Sequence, residues 1–253
     1  MFQSKYTHHY TLTAGECDPE GCMSLAELAE RLIEVATEHA NSLGIGYDAL
    51  ITKNIGWVLS RLAIEMERYP GINEEYTITS WIEGYNRFFS ERNFAVTDAA
   101  GNTLGYARTV WVAMDYKSRT MADLSSFETS RFPIADLPCP IAKTPRLASP
   151  GNDAQTDEYT FRYRDLDVNR HVNTVRYIDL ILNHWPLEFF DRMMPVRLDV
   201  LFHNECHFGE RVALRVAEGS PGENICEIIR PDGKKAVACR ICWKKTQKNV
   251  NLH

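Results

Sequence analysis

The sequence lacks an excess of positive charge, a long apolar run and an orderly cysteine pattern. Its formal net charge of -6 has the wrong sign for nonspecific neutralisation of phosphates, so no nucleic-acid partner is expected. No run of about 18 apolar residues is present, so no membrane span is expected. The opening "MFQSKYTHHYTLTAGECD" has no apolar segment of the signal-peptide kind and begins strand-like alternation at once, which points to a cytoplasmic protein. Its seven cysteines are odd in number and irregular in spacing, as suits free thiols in a reducing compartment. Glycine (14) and proline (11) are too few for a long disordered or collagen-like tract. What remains, 44% hydrophobic and 25% charged over 253 residues, reads as a globular chain able to bury a substantial core.

One cysteine pair has formal metal or redox spacing, Cys239 and Cys242 in "CRIC". It lies in the strand-like run "KKAVACRICWKK", where residues three apart face opposite sides, and no second pair completes a zinc site. Neither a metal nor a cofactor is expected.

The chain carries an internal repeat. One offset places Tyr10 and Asp18 of "YTLTAGECDPEGCMSLAELAERL" on Tyr159 and Asp167 of "YTFRYRDLDVNRHVNTVRYIDLIL". Each copy reads as a short strand, a polar turn and a helix. Leu25, Leu28, Ala29, Leu32, Ala36 and Ala40 form one apolar stripe, and Ile178, Ile181, Leu182 and Trp185 form the other. Strand pairs follow in both copies, first around "ERYPGINEE" and "HNECHFGER", then around the hairpin turns "AAGN" and "PDGK". Each half therefore predicts an antiparallel sheet wrapped on one long helix. This α+β plan is that of a tandem, or double, hotdog fold. Residues 137–158, with four prolines and little periodicity, read as a linker between an N-terminal repeat (1–136) and a C-terminal repeat (159–253).

The copies differ most in the polar turn. Asp167, Asn169, His171 and Asn173 stand where the first copy has Asp18, Glu20, Cys22 and Ser24. Such residues are ordinary in turns and helix caps. Two features favour chemistry: the turn opens a helix N-terminus, which stabilises negative charge, and the strand "VRLDVLFHNECHFGE" supplies a second polar cluster. Regular alternation there puts His203, Glu205 and His207 on one face and Cys206 on the other, so only one of Glu205 and Cys206 faces a given cleft unless a bulge intervenes. A His-x-Glu-x-His face joined by His171 is the lesser, metal-binding alternative.

"DLDVNRHVNTVRYIDLIL", together with "FFSERNFAVTDAAGNTLGYARTVWVAMDYKSRTMADL", resembles the acyl-ACP thioesterase family over roughly residues 5–246. The resemblance implies a hydrolase that releases a free fatty acid from acyl carrier protein. Matched by position, the family's active-site residues fall on Asp167, Asn169, His171 and Glu205, with Cys206 beside the last. Arg170 and Thr174 depart from the usual Gln and Asn.

Under that implication, Glu205 is expected as general base on water, sharing the role with His171, and Asn169 orients water or the thioester carbonyl. Asp167 is expected to hold the turn, and the backbone N–H groups of Val172, Asn173 and Thr174 to form an oxyanion hole. A covalent route through Cys206 with His171 as base is the rival. The acyl chain is expected in the first repeat, near Leu28, Leu32, Trp57 and Trp111. An acidic carrier protein would meet basic residues among Arg176, Arg192, Lys234, Lys235, Lys244 and Lys245, and a homodimer is left open. The alternatives in function are an acyl-CoA thioesterase of the hotdog class and a non-catalytic acyl-binding protein.

Overall fold

A computed structural model describes residues 3–126 and 131–246. The chain divides into two compact units, one of residues 1–17 with 21–144 and one of residues 18–20 with 145–253.

In the first unit, strands β1 (Lys5–Thr11), β2 (Ile55–Met66), β3 (Glu75–Tyr85), β4 (Phe89–Asp98), β5 (Thr103–Asp115) and the short β6 (Thr120–Met121) pair antiparallel in the order β1-β3-β4-β5-β2, with β6 on β5. Helix α1 (Leu25–Ser42) starts where Ser24 accepts a hydrogen bond from the Glu27 N–H at 3.0 Å, a normal N-cap. The whole predicted stripe is buried, and Val35 and His39 extend it. A short helix α2 (Tyr47–Ile51) follows. The opposite face of this sheet is covered by the chain after Phe132: Trp81 Nε1 donates to the Leu137 carbonyl (2.8 Å), and Arg108 donates to the carbonyls of Cys139 (2.9 Å) and Ile141 (2.8 Å). This first part of residues 137–158 is therefore fastened to a sheet.

The second unit repeats the plan with β7 (Gln155–Thr160), helix α3 (Thr174–Leu182), a single turn α4 (Leu187–Phe190), and strands β8 (Met193–Phe202), β9 (Arg211–Glu218), β10 (Glu223–Ile229) and β11 (Lys235–Lys245). Its strand order is β8-β11-β10-β9-β7. Strand β7 begins inside the span read as linker. Helix α3 has 9 residues against 18 in α1, so only one of the two helices is long. It ends at Leu182, and Trp185 leaves the helical stripe to pack edge-on against Trp243, with ring centroids 4.8 Å apart. Cys239 is fully buried opposite Cys226 in the β10–β11 register, and burial pushes its thiol pKa up. Among the described residues, no helix is long and apolar enough to cross a membrane.

Candidate active site

The polar turn is built twice by one backbone device. In the first copy, Ala14–Glu16 forms a 3-10 turn, Cys17 bridges Met23, Gly21 has φ +73°, and Ser24 caps α1. At the offset that pairs Asp18 with Asp167, the second copy has a 3-10 turn at Tyr163–Asp165, a Leu166–Val172 bridge, Arg170 at φ +64°, and Asn173 capping α3 by accepting from the Val175 N–H (3.2 Å). The cap role open to Asn173 in the sequence is thus its actual one.

Each acid of "DLD" has a mechanical task. Asp165 is buried and its carboxylate accepts from the Arg162 N–H (2.6 Å) and the Tyr159 hydroxyl (3.0 Å). Asp167 Oδ1 accepts from the N–H groups of Asn169 (2.8 Å) and His171 (3.0 Å), which winds the turn and sets both residues on it. Asn169 lies exposed at the turn.

The second polar segment is not a regular strand. Strand β8 stops at Phe202, because the N–H groups of His203 (2.8 Å) and Asn204 (3.3 Å) both turn to the Ala236 carbonyl. The expected single face of His203, Glu205 and His207 is therefore not formed, and the metal alternative built on it falls. Instead the segment is stitched to the turn: Val172 N–H donates to the Cys206 carbonyl (2.9 Å), and His171 bridges His207. This brings Glu205 Oε1 to 3.4 Å from His171 Nδ1, with both side chains partly open to solvent (31% and 24%). The His207 ring meets His171 edge-on at 5.2 Å.

Cys206 points inward. It is fully buried, its N–H donates to the Tyr177 hydroxyl (3.0 Å), and burial pushes its thiol up to about 11, with the Tyr177 hydrogen bond opposing and nearby Glu210 reinforcing the rise. Tyr177 was missed as a site residue, although it lies on the buried stripe of α3.

Two of the three expected oxyanion donors are already engaged. Val172 N–H goes to Cys206 as above, and Asn173 N–H goes to the Asp165 carbonyl (2.8 Å). Both belong to the turn's own scaffold, which corrects the expectation for them. Among the described residues nothing accepts from the Thr174 N–H, the first of α3.

The other expected residues are dispersed. In the first unit Leu28 and Leu32 are fully buried on α1, Trp57 Nε1 donates to the Ile45 carbonyl (2.9 Å), and Trp111 Nε1 donates to Thr109 Oγ1 (2.8 Å). Of the six cations, Lys244 and Lys245 pair with Met194 and Met193, and Arg192 adjoins them. They stand at the end of β8 remote from Glu205, roughly 30 Å away by strand rise. Arg176 is paired with Asp179 (2.7 Å) and Lys235 with Glu227 (2.8 Å). Lys234, two-thirds exposed and paired with Asp232 (3.6 Å), lies at the near end, one residue before Lys235, whose carbonyl accepts from Asn204 (2.6 Å).

Comparison with known proteins follows the same division. A model of the acyl-ACP thioesterase N-terminal domain matches residues 3–126, and one of the C-terminal domain matches residues 148–245. The chain is 31% identical to an acyl-ACP thioesterase from Bacteroides thetaiotaomicron of known structure, with a TM-score of 0.90 over 95% of this chain and 98% of that one. A 12:0-ACP thioesterase from Umbellularia californica shares the fold (TM-score 0.85, 20% identity, 97% of this chain and 99% of that one). A palmitoyl-acyl carrier protein thioesterase from Cuphea hookeriana is 24% identical over 97% of this chain, which spans 64% of that protein's length.

Proposed function

The chain belongs to the acyl-ACP thioesterase family and has its tandem hotdog fold, and on that footing we propose that it hydrolyses fatty acyl thioesters of acyl carrier protein to the free fatty acid and the carrier thiol. The approach of Glu205 to His171 carries the reading: a carboxylate and an imidazole meet in solvent reach beside a helix N-terminus, the parts that water activation and oxyanion binding need.

In the proposed reaction, Glu205 takes a proton from a water and the oxygen adds to the thioester carbonyl. The Thr174 N–H and the Asn169 amide receive the oxyanion. Collapse breaks the C–S bond, and the thiolate leaves readily because its conjugate thiol has a pKa of about 8.5. The proton held by Glu205 passes through His171 to the departing sulfur. Asp167 positions Asn169 and His171 through their backbone. Cys206 is support, since a thiol held protonated at neutral pH is a poor nucleophile.

The acyl chain is assigned to the apolar layer of the first unit, and the acidic carrier to the cation at the near end of β11, Lys234. The described cysteines are free thiols, in keeping with a cytoplasmic setting. The test is incubation of the purified protein with acyl carrier protein thioesters, reading thiol and fatty acid together. Equal release of both is expected. Release from acyl-CoA but not from the carrier thioester would move the reading to an acyl-CoA thioesterase, and release from neither would end it.

A further inference from the structure

The main chain that carries Glu205 is held at both polar groups of the next residue. The Cys206 N–H donates to the Tyr177 hydroxyl of α3 (3.0 Å), and the Cys206 carbonyl accepts from the Val172 N–H (2.9 Å). The first of these bonds bears on Glu205, because the 205–206 peptide plane contains both that N–H and the Glu205 Cα. Holding the plane restrains the direction in which the Glu205 side chain leaves the chain, on its way to within 3.4 Å of His171 Nδ1. The tyrosine is itself fixed. It is 4% exposed, and its ring meets Phe161 edge-on at 5.6 Å and Phe202, the last residue of β8, at 6.4 Å. Burial and then the Cys206 thiol raise its pKa, so the hydroxyl keeps its proton and receives the N–H on a lone pair.

The first copy builds the same device without this bond. Met23 N–H donates to the Pro70 carbonyl (2.9 Å) as Val172 N–H does to that of Cys206, and Cys22 bridges Gly71 as His171 bridges His207. By these matches Pro70 stands where the second copy has Cys206, and Tyr69 where it has Glu205. The offset that pairs Asp18 with Asp167 puts Leu28 at the place of Tyr177. Pro70 has no N–H to give, and Leu28 has no oxygen to receive one. Donor and acceptor are both missing from the copy that lacks the carboxylate and the imidazole, and both present in the copy that has them. The turn, its bridge and its helix cap form in either copy, so the hydroxyl is not what folds them.

We propose that Tyr177 is a positioning residue for the hydrolysis: its hydroxyl, by receiving the Cys206 N–H, sets Glu205 against His171. This rests on the reading of Glu205 as the general base. Without the hydroxyl the Cys206 N–H is a buried donor with no acceptor, and the segment regains a bond only by turning its 205–206 peptide, which takes Glu205 with it. The cysteine side chain is not part of this setting, since any residue but proline supplies the N–H. Thr174, whose N–H is assigned to the oxyanion, lies three residues before Tyr177 on the same helix and so on the same side of it. One helix thereby aligns the base with the oxyanion donor.

The experiment is a double-mutant cycle of Tyr177→Phe and Glu205→Gln in the full-length protein, read as kcat and KM on an acyl carrier protein thioester. Tyr177→Phe should lower kcat about tenfold or more with KM changed by less than about twofold. In that background Glu205→Gln should cost at least about tenfold less than in the wild type. A hydroxyl that only stabilises the fold would leave the cost of Glu205→Gln the same in both backgrounds; that additivity, or an unchanged kcat in Tyr177→Phe, overturns the proposal. Cys206→Ala, which keeps the N–H, should leave the cost of Glu205→Gln as it is in the wild type. The 15N signals of the His171 ring give a readout that needs no turnover. Glu205→Gln should shift them in the wild type and shift them far less in Tyr177→Phe, and equal shifts in the two backgrounds refute the positioning. Should Tyr177→Phe not fold, hydrogen exchange of the Cys206 amide in the wild type decides: exchange at least about 10³-fold slower than in an open chain is expected, and open-chain exchange removes the bond on which the proposal stands. Coupled ring shifts in a protein that releases no acid from carrier thioesters sink the reaction and keep the positioning. Glu205-dependent release with additive variants does the reverse.

Discussion

Glu205 Oε1 faces His171 Nδ1 at 3.4 Å, while the next side chain along, Cys206, is fully buried behind it. Two adjacent residues that the sequence offers as rivals for one role thus occupy different environments. The one that meets solvent and a histidine is the carboxylate.

Removal of Glu205 should therefore be far more damaging than removal of Cys206. Glu205→Ala is expected to lower kcat by about 10²-fold or more, the usual scale for a general base. Cys206→Ala should keep most turnover and lose stability instead, since it leaves a small gap in a packed site. Steady-state kinetics with thermal melting of both variants separates the effects. A dead but stable Cys206→Ala, or a trapped acyl-enzyme on Cys206, would return the chemistry to the thiol.

How much of this was legible in the sequence depends on the range of the interaction. The duplication was legible because Tyr10 and Asp18 keep one offset to Tyr159 and Asp167, and because an apolar stripe at helical spacing follows in both copies; the structure adds the matching 3-10 turns at Ala14–Glu16 and Tyr163–Asp165. The path of residues 203–207 was not, since alternation describes only a regular strand and the Ala236 carbonyl that ends β8 lies far along the chain. The expected oxyanion amides failed because their acceptors, the carbonyls of Cys206 for Val172 and of Asp165 for Asn173, are ones that no helix-start pattern names. Nothing local in the sequence marks Arg92, because its partner His39 is 53 positions away.

The turn itself carries a testable strain. Arg170 has φ +64° where the sister turn has Gly21 at φ +73°. A side chain in the left-handed region costs about 1–2 kcal/mol, of which glycine's larger unfolded-state freedom returns roughly half. Arg170→Gly should consequently stabilise the protein by about 0.5–1 kcal/mol in chemical denaturation, whereas the β-branched Arg170→Val should destabilise it. Equal stability of the three proteins would show that the turn relaxes around residue 170.

Acid should loosen the first unit through His39. The groups that face it are the Tyr6 ring of β1, the Gln3 carbonyl, Ser80 of β3 and the Arg92 cation of β4. Burial and then Arg92 lower its pKa to about 4 from an ordinary 6.5, so between these values the unfolded chain binds a proton that the folded one refuses. Stability should fall as pH drops through this window, by roughly 3 kcal/mol at most, and this contribution should be complete below pH of about 4. The check is urea denaturation across that range on the wild type and on His39→Gln, whose amide oxygen can still accept from Arg92. The variant should lose the part of the slope that belongs to His39. An unchanged slope would place the acid sensitivity elsewhere, for example at His203, which burial and then Lys235 also hold below the ordinary value.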